Sequence, residues 1–303
     1  MKHKEYRNNK VKTKAIDVHA VSVWKDIAML IKFRLTALVV MTSLFSYLIV
    51  MRTMNWMEFM FLALGGFAIT SAANILNEIL EKDPDALMPR TANRPIAANR
   101  LTVNNALLLS GVLLLIGILM LGLLHPLVSF LGVLSLVLYV FLYTPMKRYS
   151  PVSLVIGAIP GAMPMLIGSV AAQKEITIIG LVLFAIQFLW QFPHFLAIGF
   201  MGFDDYKKAG FKNVPEKDGA VDRMIGMHAA IYTVFLLGIV FLPGVLGVVR
   251  PLGTGLVVLM TLLYLGSTLQ FHTKFDRKSA LVMMLSSFVY LPVILTIYWI
   301  FSI

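Results

Sequence analysis

The chain has no cysteine. Disulfides, thiolate metal sites and cysteine nucleophiles are therefore excluded, while the compartment is left open. Charge is scarce as well: only 14% of residues are Asp, Glu, Lys or Arg, where a soluble domain carries about 25%. So few charges cannot clothe a folded chain in a mostly polar surface. No soluble domain and no low-complexity stretch interrupts the sequence. The first ~25 residues are polar and basic and lack an apolar h-region, so no cleaved signal peptide is expected.

What is present is apolar. Hydrophobic residues make up 59% of the 303, and mean hydropathy is +0.84. Apolar runs near the ~20-residue spanning length recur at 30–51, 57–80, 103–124, 127–144, 151–172, 176–200, 226–247, 251–271 and 280–301. Backbone in lipid must satisfy its own hydrogen bonds, so runs of this length are helices. The expected fold is an all-α, polytopic membrane protein: nine transmembrane helices bundled around a central cavity over residues 29–303. A basic tail, 1–28, precedes it and is expected to be flexible, lying on anionic lipid.

The net charge of +11 does not point to nucleic acid, because the cations sit in short loops between long apolar runs. It reads as topology. With the amino terminus cytoplasmic and nine crossings, only Arg52, Lys174 and Arg250 of the 26 basic residues fall outside. Such asymmetry supports both the span count and a cytoplasmic amino terminus with an external carboxyl terminus. The two long connections, 81–102 and 201–225, fall on the inner face and hold eight of the 15 acidic residues.

The first long connection begins inside the second run. Asn74, Asn77, Glu78 and Glu81 lie at helical spacings of three and four and form a polar stripe. Asp83 and Asp85 follow, where Pro84 is expected to fray the helix at Asp83. Arg90, Thr91, Arg94 and Pro95 close the segment. Clustered carboxylates repel unless a cation lies between them. Hard oxygens suit Mg²⁺, which binds one or two carboxylates plus substrate phosphates, and arginines grip phosphate oxygens. Two readings stand: a solvated, salt-bridged loop, or a Mg²⁺–diphosphate site. Polar groups at intramembrane positions are costly and usually functional, which favours the second.

The run Asn77-x-x-x-Glu81-x-Asp83-x-Asp85-x-x-Met88-x-Arg90-Thr91-x-x-Arg94-Pro95 resembles the first signature of the intramembrane aromatic prenyltransferase (UbiA-type) superfamily. Its ending is more narrowly similar to the protohaem IX farnesyltransferase (haem O synthase) branch. Glu81 stands where that pattern has Asp. Further along, Tyr143, Thr144, Lys147, Arg148 and Pro151 match a Tyr-Thr…Lys-Arg…Pro run, and Gly157, Gly161, Ala162, Pro164 and Gly168 a small-residue span. The glycines read as close helix packing. Gln187, Gln191 and His194 make one polar face of the sixth run, and Trp190-x-x-Pro193-His194-Phe195 resembles the haem branch. For His194 a proton relay, a haem contact and a helix–helix contact all remain open. Asp205-Tyr206-x-x-Ala209-Gly210, with Asp204 before it, resembles the second acidic motif.

The resemblance implies a Mg²⁺-dependent prenyltransferase of the cell inner membrane. Its metal ligands would come from Asn77, Glu81, Asp83, Asp85, Asp204 and Asp205, with Arg90 and Arg94 assisting. Substrate would meet Asn74, Thr91, Tyr143, Lys147, Arg148, Gln191, His194, Tyr206 and Lys208. The implied substrates are farnesyl diphosphate and haem B, the latter a substrate rather than a cofactor. The implied partners are the bilayer and haem A synthase or the oxidase-assembly machinery. A quinone precursor is the rival acceptor. A transporter is the rival of another class, though charge gathers at one face and no inverted repeat is visible.

Overall fold

The computed structural model describes residues 22–51 and 53–303. Among them are nine helices long and apolar enough to cross a membrane: Phe33–Val50, Trp56–Leu80, Val103–Leu124, Pro126–Met146, Ser153–Gln173, Ile178–Met201, Met224–Val245, Pro251–Lys274 and Arg277–Ile300, here spans one to nine. Each expected run contains one of them, with ends shifted by a turn or less. Residues 1–21 of the basic tail and Arg52 lie outside the described residues. The rest of the 1–28 segment enters a short helix, Val23–Leu30, on which Trp24 is exposed.

Short polar caps begin several spans. Asn55 accepts from the Met57 and Glu58 backbone ahead of span two, and Asp276 forms a capping box with Ser279 ahead of span nine. One small departure from an all-helical chain sits in the second long loop. Glu216–Lys217 pairs with Ala220–Val221 as a hairpin, turned by Asp218 and Gly219, both at positive φ.

Spans one to five share one apolar core, and spans six to nine share another to which spans one and five also contribute. Span five is the hub. Of its most apolar stretch 72% is buried, against 22% for span three, which faces lipid at the rim. Lipid gives helices no hydrophobic reason to associate, so close approach and polar bonds must hold them. Span five supplies both. Pro164 has no N–H for the Pro160 carbonyl, and Ser135 of span four donates to that carbonyl instead, at 3.2 Å. Gln187 and Gln191 of span six donate to the Gly161 and Ala158 carbonyls at 2.8 and 3.0 Å, and Ser46 of span one donates to the Met165 carbonyl.

The glycines allow these approaches. A Cβ at Gly168 would run into the backbone carbonyl of Ser43, and one at Gly161 into the Gln191 amide, whereas Gly111 on span three has open space around it. Gly168→Ala is expected to lose about 1–3 kcal/mol of stability, the usual scale of overpacking. Gly111→Ala is expected to be neutral or slightly stabilising. Thermal unfolding of the two variants in one detergent checks the contrast.

Candidate active site

Asn77, Glu81 and Asp85 are spaced by four, so a helix continuing past the end of span two would keep them in one row. The helix breaks at Glu81 (φ −100°, ψ 12°), yet Asp85 N–H still donates to the Glu81 carbonyl at 2.8 Å. The expected fraying at Asp83 does not occur. A new short helix, Lys82–Leu87, starts at once. Pro84 lies in its first turn, where a missing N–H goes unused. The restart buries Asp85 and leaves Asp83 exposed.

The row faces a cleft of about 90 Å³ at the loop-rich end of the bundle. Each of its members meets a cation brought by a different segment. Lys32, at the entry to span one, donates to Asn77 Oδ1 at 2.7 Å. Lys147, just beyond span four, pairs with Glu81 at 2.8 Å. Arg94, from the first long loop, pairs with Asp85 at 2.5 Å. Asn77 also donates to Thr144 at 3.1 Å, and Thr91 donates to the Asp85 carbonyl at 2.9 Å. Arg90 reaches the Tyr206 hydroxyl at 3.4 Å, tying the two long loops together, and Lys212 N–H donates to the Lys147 carbonyl at 2.7 Å.

These pairs set the local charge. Burial lifts the Asp85 carboxyl above its usual range, with Arg94 opposing. Burial works the same way on Glu81, but Lys147 outweighs it and Glu81 is held below its usual range. Lys32 loses solvation and feels Arg94 and Lys147, which together outweigh Glu81 and Asp85, so its ammonium comes down to about 7.

Span four reaches the cleft through an unusual turn. Leu138–Tyr143 is π-helical, and Thr144 donates to the Tyr139 carbonyl at 2.9 Å. Such turns recur at functional sites. Tyr139 and Tyr143 lie 5.5 Å apart, and the Lys147 ammonium sits 4.5 Å from the Tyr143 ring. Gly157 of span five lets the Tyr143 ring pack closely against it, since a Cβ there would meet the ring.

Of the residues expected in the site, Asn77, Glu81, Asp85, Arg90, Thr91, Arg94, Tyr143, Lys147 and Tyr206 line the cleft. The others are elsewhere. Asn74 is buried against the Ile31–Thr36 turn. Gln191 is used on the span-five backbone. His194 shares a 2.7 Å hydrogen bond with Ser287 of span nine and stacks on Trp190, so the helix–helix contact is what the structure places there. Asp83, Arg148, Asp204 and Lys208 are exposed and Asp205 half-buried, and none lines the cleft. Lys32, Met88, Tyr139, Phe211 and Asn213 line it without having been expected there. The Tyr139-x-x-x-Tyr143-x-x-x-Lys147 spacing was a readable signal for one of these. Lys32 looked like one more topological anchor.

The donors for a cation are correspondingly fewer. Among the described residues no three Asp, Glu, His or Cys side chains converge on one metal position. The six-ligand set is not assembled in the cleft, because Asp83, Asp204 and Asp205 do not line it. What remains, one amide and two carboxylates, fits Mg²⁺, which takes one or two carboxylates and fills its shell with phosphate and water. Asp85 Oδ1 is buried with no hydrogen-bond partner, a donor left over for such an ion.

The profile described as the UbiA prenyltransferase family matches residues 39–292. A protoheme IX farnesyltransferase of Cytophaga hutchinsonii is 40% identical over 267 residues, 88% of this chain and 93% of that protein. One from Flavobacterium psychrophilum is 37% identical, over 91% of this chain and 94% of that protein. Among solved structures, a digeranylgeranylglyceryl phosphate synthase superposes with a TM-score of 0.77 at 17% identity, over 91% and 97% of the two chains. A UbiA homolog from Archaeoglobus fulgidus bound to GPP and Mg²⁺ gives 0.67 at 14% identity, over 90% and 99%. At such identities the two structures speak for the fold, and the profile and the relatives for descent. A multi-pass membrane protein with this cleft, matched over most of its length, belongs to the UbiA prenyltransferase family.

Proposed function

We propose that this chain transfers the farnesyl group of farnesyl diphosphate to a vinyl group of haem B, with addition of water, giving haem O and diphosphate. The observation that carries the transfer chemistry is the cleft in which Asn77, Glu81 and Asp85 are each matched by Lys32, Lys147 or Arg94. Both sets are complementary to a metal diphosphate. The cations can turn to its phosphate oxygens, and the oxygens they leave can hold its divalent ion. Bound there, Mg²⁺ would supply positive charge to the departing diphosphate.

The chain's own residues do the rest. Lys32, Lys147 and Arg94 neutralise charge that grows on the leaving oxygens as the allylic C–O bond loosens, the stage at which such contacts lower a barrier. Arg90, held beside Tyr206, extends that cationic rim. Tyr139, Tyr143 and Phe211 wall the cleft with aromatic surface that excludes water from the farnesyl cation. A vinyl carbon of the acceptor attacks the cation. Water then adds its oxygen to the new cationic carbon and releases a proton.

Support for haem as the acceptor comes from two directions. The relatives named protoheme IX farnesyltransferase align over most of this chain. The Pro193-His194-Phe195 and Asp205-Tyr206-x-x-Ala209-Gly210 runs also resemble that branch. The distribution of Lys and Arg supports placing the cleft on the cytoplasmic face, and the resemblance implies the cell inner membrane. Delivery of the product to haem A synthase or to oxidase assembly belongs to the same reading.

Purified protein given Mg²⁺, farnesyl diphosphate and haem B should release pyrophosphate and shift the haem mass by farnesyl plus water. Transfer to a quinone precursor instead, or solute flux in liposomes without metal, would sink the assignment. Asp85→Ala should lower turnover by about 10²–10³-fold, the scale of losing one preorganised charge-stabilising group, with insertion and folding intact; near-normal turnover would remove Asp85 from the site. Because the Lys32 ammonium is depressed to about 7, it is charged below that pH and neutral above. Pyrophosphate should therefore bind more weakly as pH rises through 7. Lys32→Met should lose that component while keeping whatever dependence pyrophosphate's own titration imposes.

A further inference from the structure

Two members of the second span's polar stripe take no part in the cleft. Asn74 is 3% exposed and Glu78 is 0% exposed, and both lie within a membrane helix, where such groups are retained only for a reason. They are four residues apart and occupy a row beside that of Asn77 and Glu81. Each binds the backbone of a different segment. Asn74 donates to Thr36 Oγ1 at 3.0 Å and to the Ile31 carbonyl at 3.5 Å, and Thr36 donates to that same carbonyl at 2.7 Å. Glu78 Oε1 accepts from the Ile96 N–H at 3.2 Å, and its second oxygen is buried with no partner.

What these two segments carry is the point of interest. Ile31 precedes Lys32, which is in a left-handed conformation (φ 48°, ψ 53°) that a non-glycine residue adopts only when held. Ile96 follows Arg94 by two residues, across Pro95. The segments also meet each other. Leu30 and Ile96 share a small apolar cluster with Ile75 and Ala106, and Arg100 pairs with Asp26 at 2.8 Å. So one helix face both lines the cleft and fixes the two chain segments that deliver Lys32 and Arg94 into it.

We infer that Asn74 and Glu78 are positioning residues for the diphosphate site, Asn74 acting through Lys32 and Glu78 through Arg94. The inference rests on the reading above that these cations meet diphosphate. Neither residue touches substrate. Each holds a backbone turn in register with span two, so that a long, otherwise mobile cation arrives preorganised. An acceptor oxygen is all that Ile96 requires, so a glutamine can replace Glu78 while a leucine cannot.

Binding of Mg²⁺-pyrophosphate to the full chain in detergent, followed by calorimetry, tests this. Asn74→Ala and Glu78→Leu should each weaken binding by roughly tenfold, the scale of one buried hydrogen bond lost. Glu78→Gln should stay near the parent. In a Lys32→Met background Asn74→Ala should add nothing, and in an Arg94→Met background Glu78→Leu should add nothing. Across the pairs, Glu78→Leu on Lys32→Met should still weaken binding by most of its own effect, reduced only by the contact between the two segments. A purely structural role would lower thermal stability while leaving these effects additive in every background, and that result overturns the inference. So does a Glu78→Gln as impaired as Glu78→Leu. If Glu78→Leu does not fold, the Asn74 cycle decides alone. Failure of the parent protein to bind Mg²⁺-pyrophosphate would instead overturn the functional reading beneath it.

Discussion

The arrangement turns on one cost: at the end of a membrane bundle, a buried cation gives up water and must find oxygen partners within the protein. A row running from the last turn of span two into the helix Lys82–Leu87 supplies them. Asn77, Glu81 and Asp85 present three oxygens at successive turns, and Lys32, Lys147 and Arg94 reach them from three separate segments. The row stands on helical backbone on either side of the break at Glu81, and the cations are long side chains on turns and loops. The acids therefore set the geometry and the cations follow it. A metal diphosphate can take the place of these internal pairs, because it brings a cation for the acids and anions for the bases.

Span five makes that arrangement possible from the other side. Its prolines and glycines would weaken a helix in water, yet here they let spans one, four and six press against its backbone. The polar face of span six, which in sequence looked like part of a substrate pocket, serves this packing through Gln187 and Gln191. Gly157 belongs to both layers. It packs the bundle, and by admitting the Tyr143 ring it orients the aromatic surface under Lys147.

The parts of the molecule legible in sequence are those governed by period and composition. Nine apolar runs near the spanning length could hardly fold otherwise in lipid, and the spacing of four from Asn77 to Asp85 foretold a shared face. What could not be read depends on where loops turn. Lys32 lies beside Arg34 at the mouth of an apolar run, and nothing in that pattern separates a topological anchor from a cleft cation. The left-handed turn that aims it is visible only in the fold. Asp204 and Asp205 carry the right chemistry for a metal, but the helix Phe203–Lys208 turns Tyr206 toward the cleft rather than either of them. His194 shows the same limit, since a histidine on a polar helix face looks alike whether it meets a ligand or Ser287.

One asymmetry follows from that last arrangement. The second long loop gives the cleft Tyr206, Phe211 and Asn213, none of them an acid. All its carboxylate comes from Glu81 and Asp85, at and just past the end of span two, and its cations come from the entry to span one, the turn after span four and the rest of the first long loop. A site built this way has its anionic wall on helical backbone and its cationic rim on turns and loops. On the proposed reading, recognition of a metal diphosphate depends on how well that rim is held in register with the wall. On that reading Asn74 and Glu78, which bind the segments carrying Lys32 and Arg94, act on the chemistry without touching substrate.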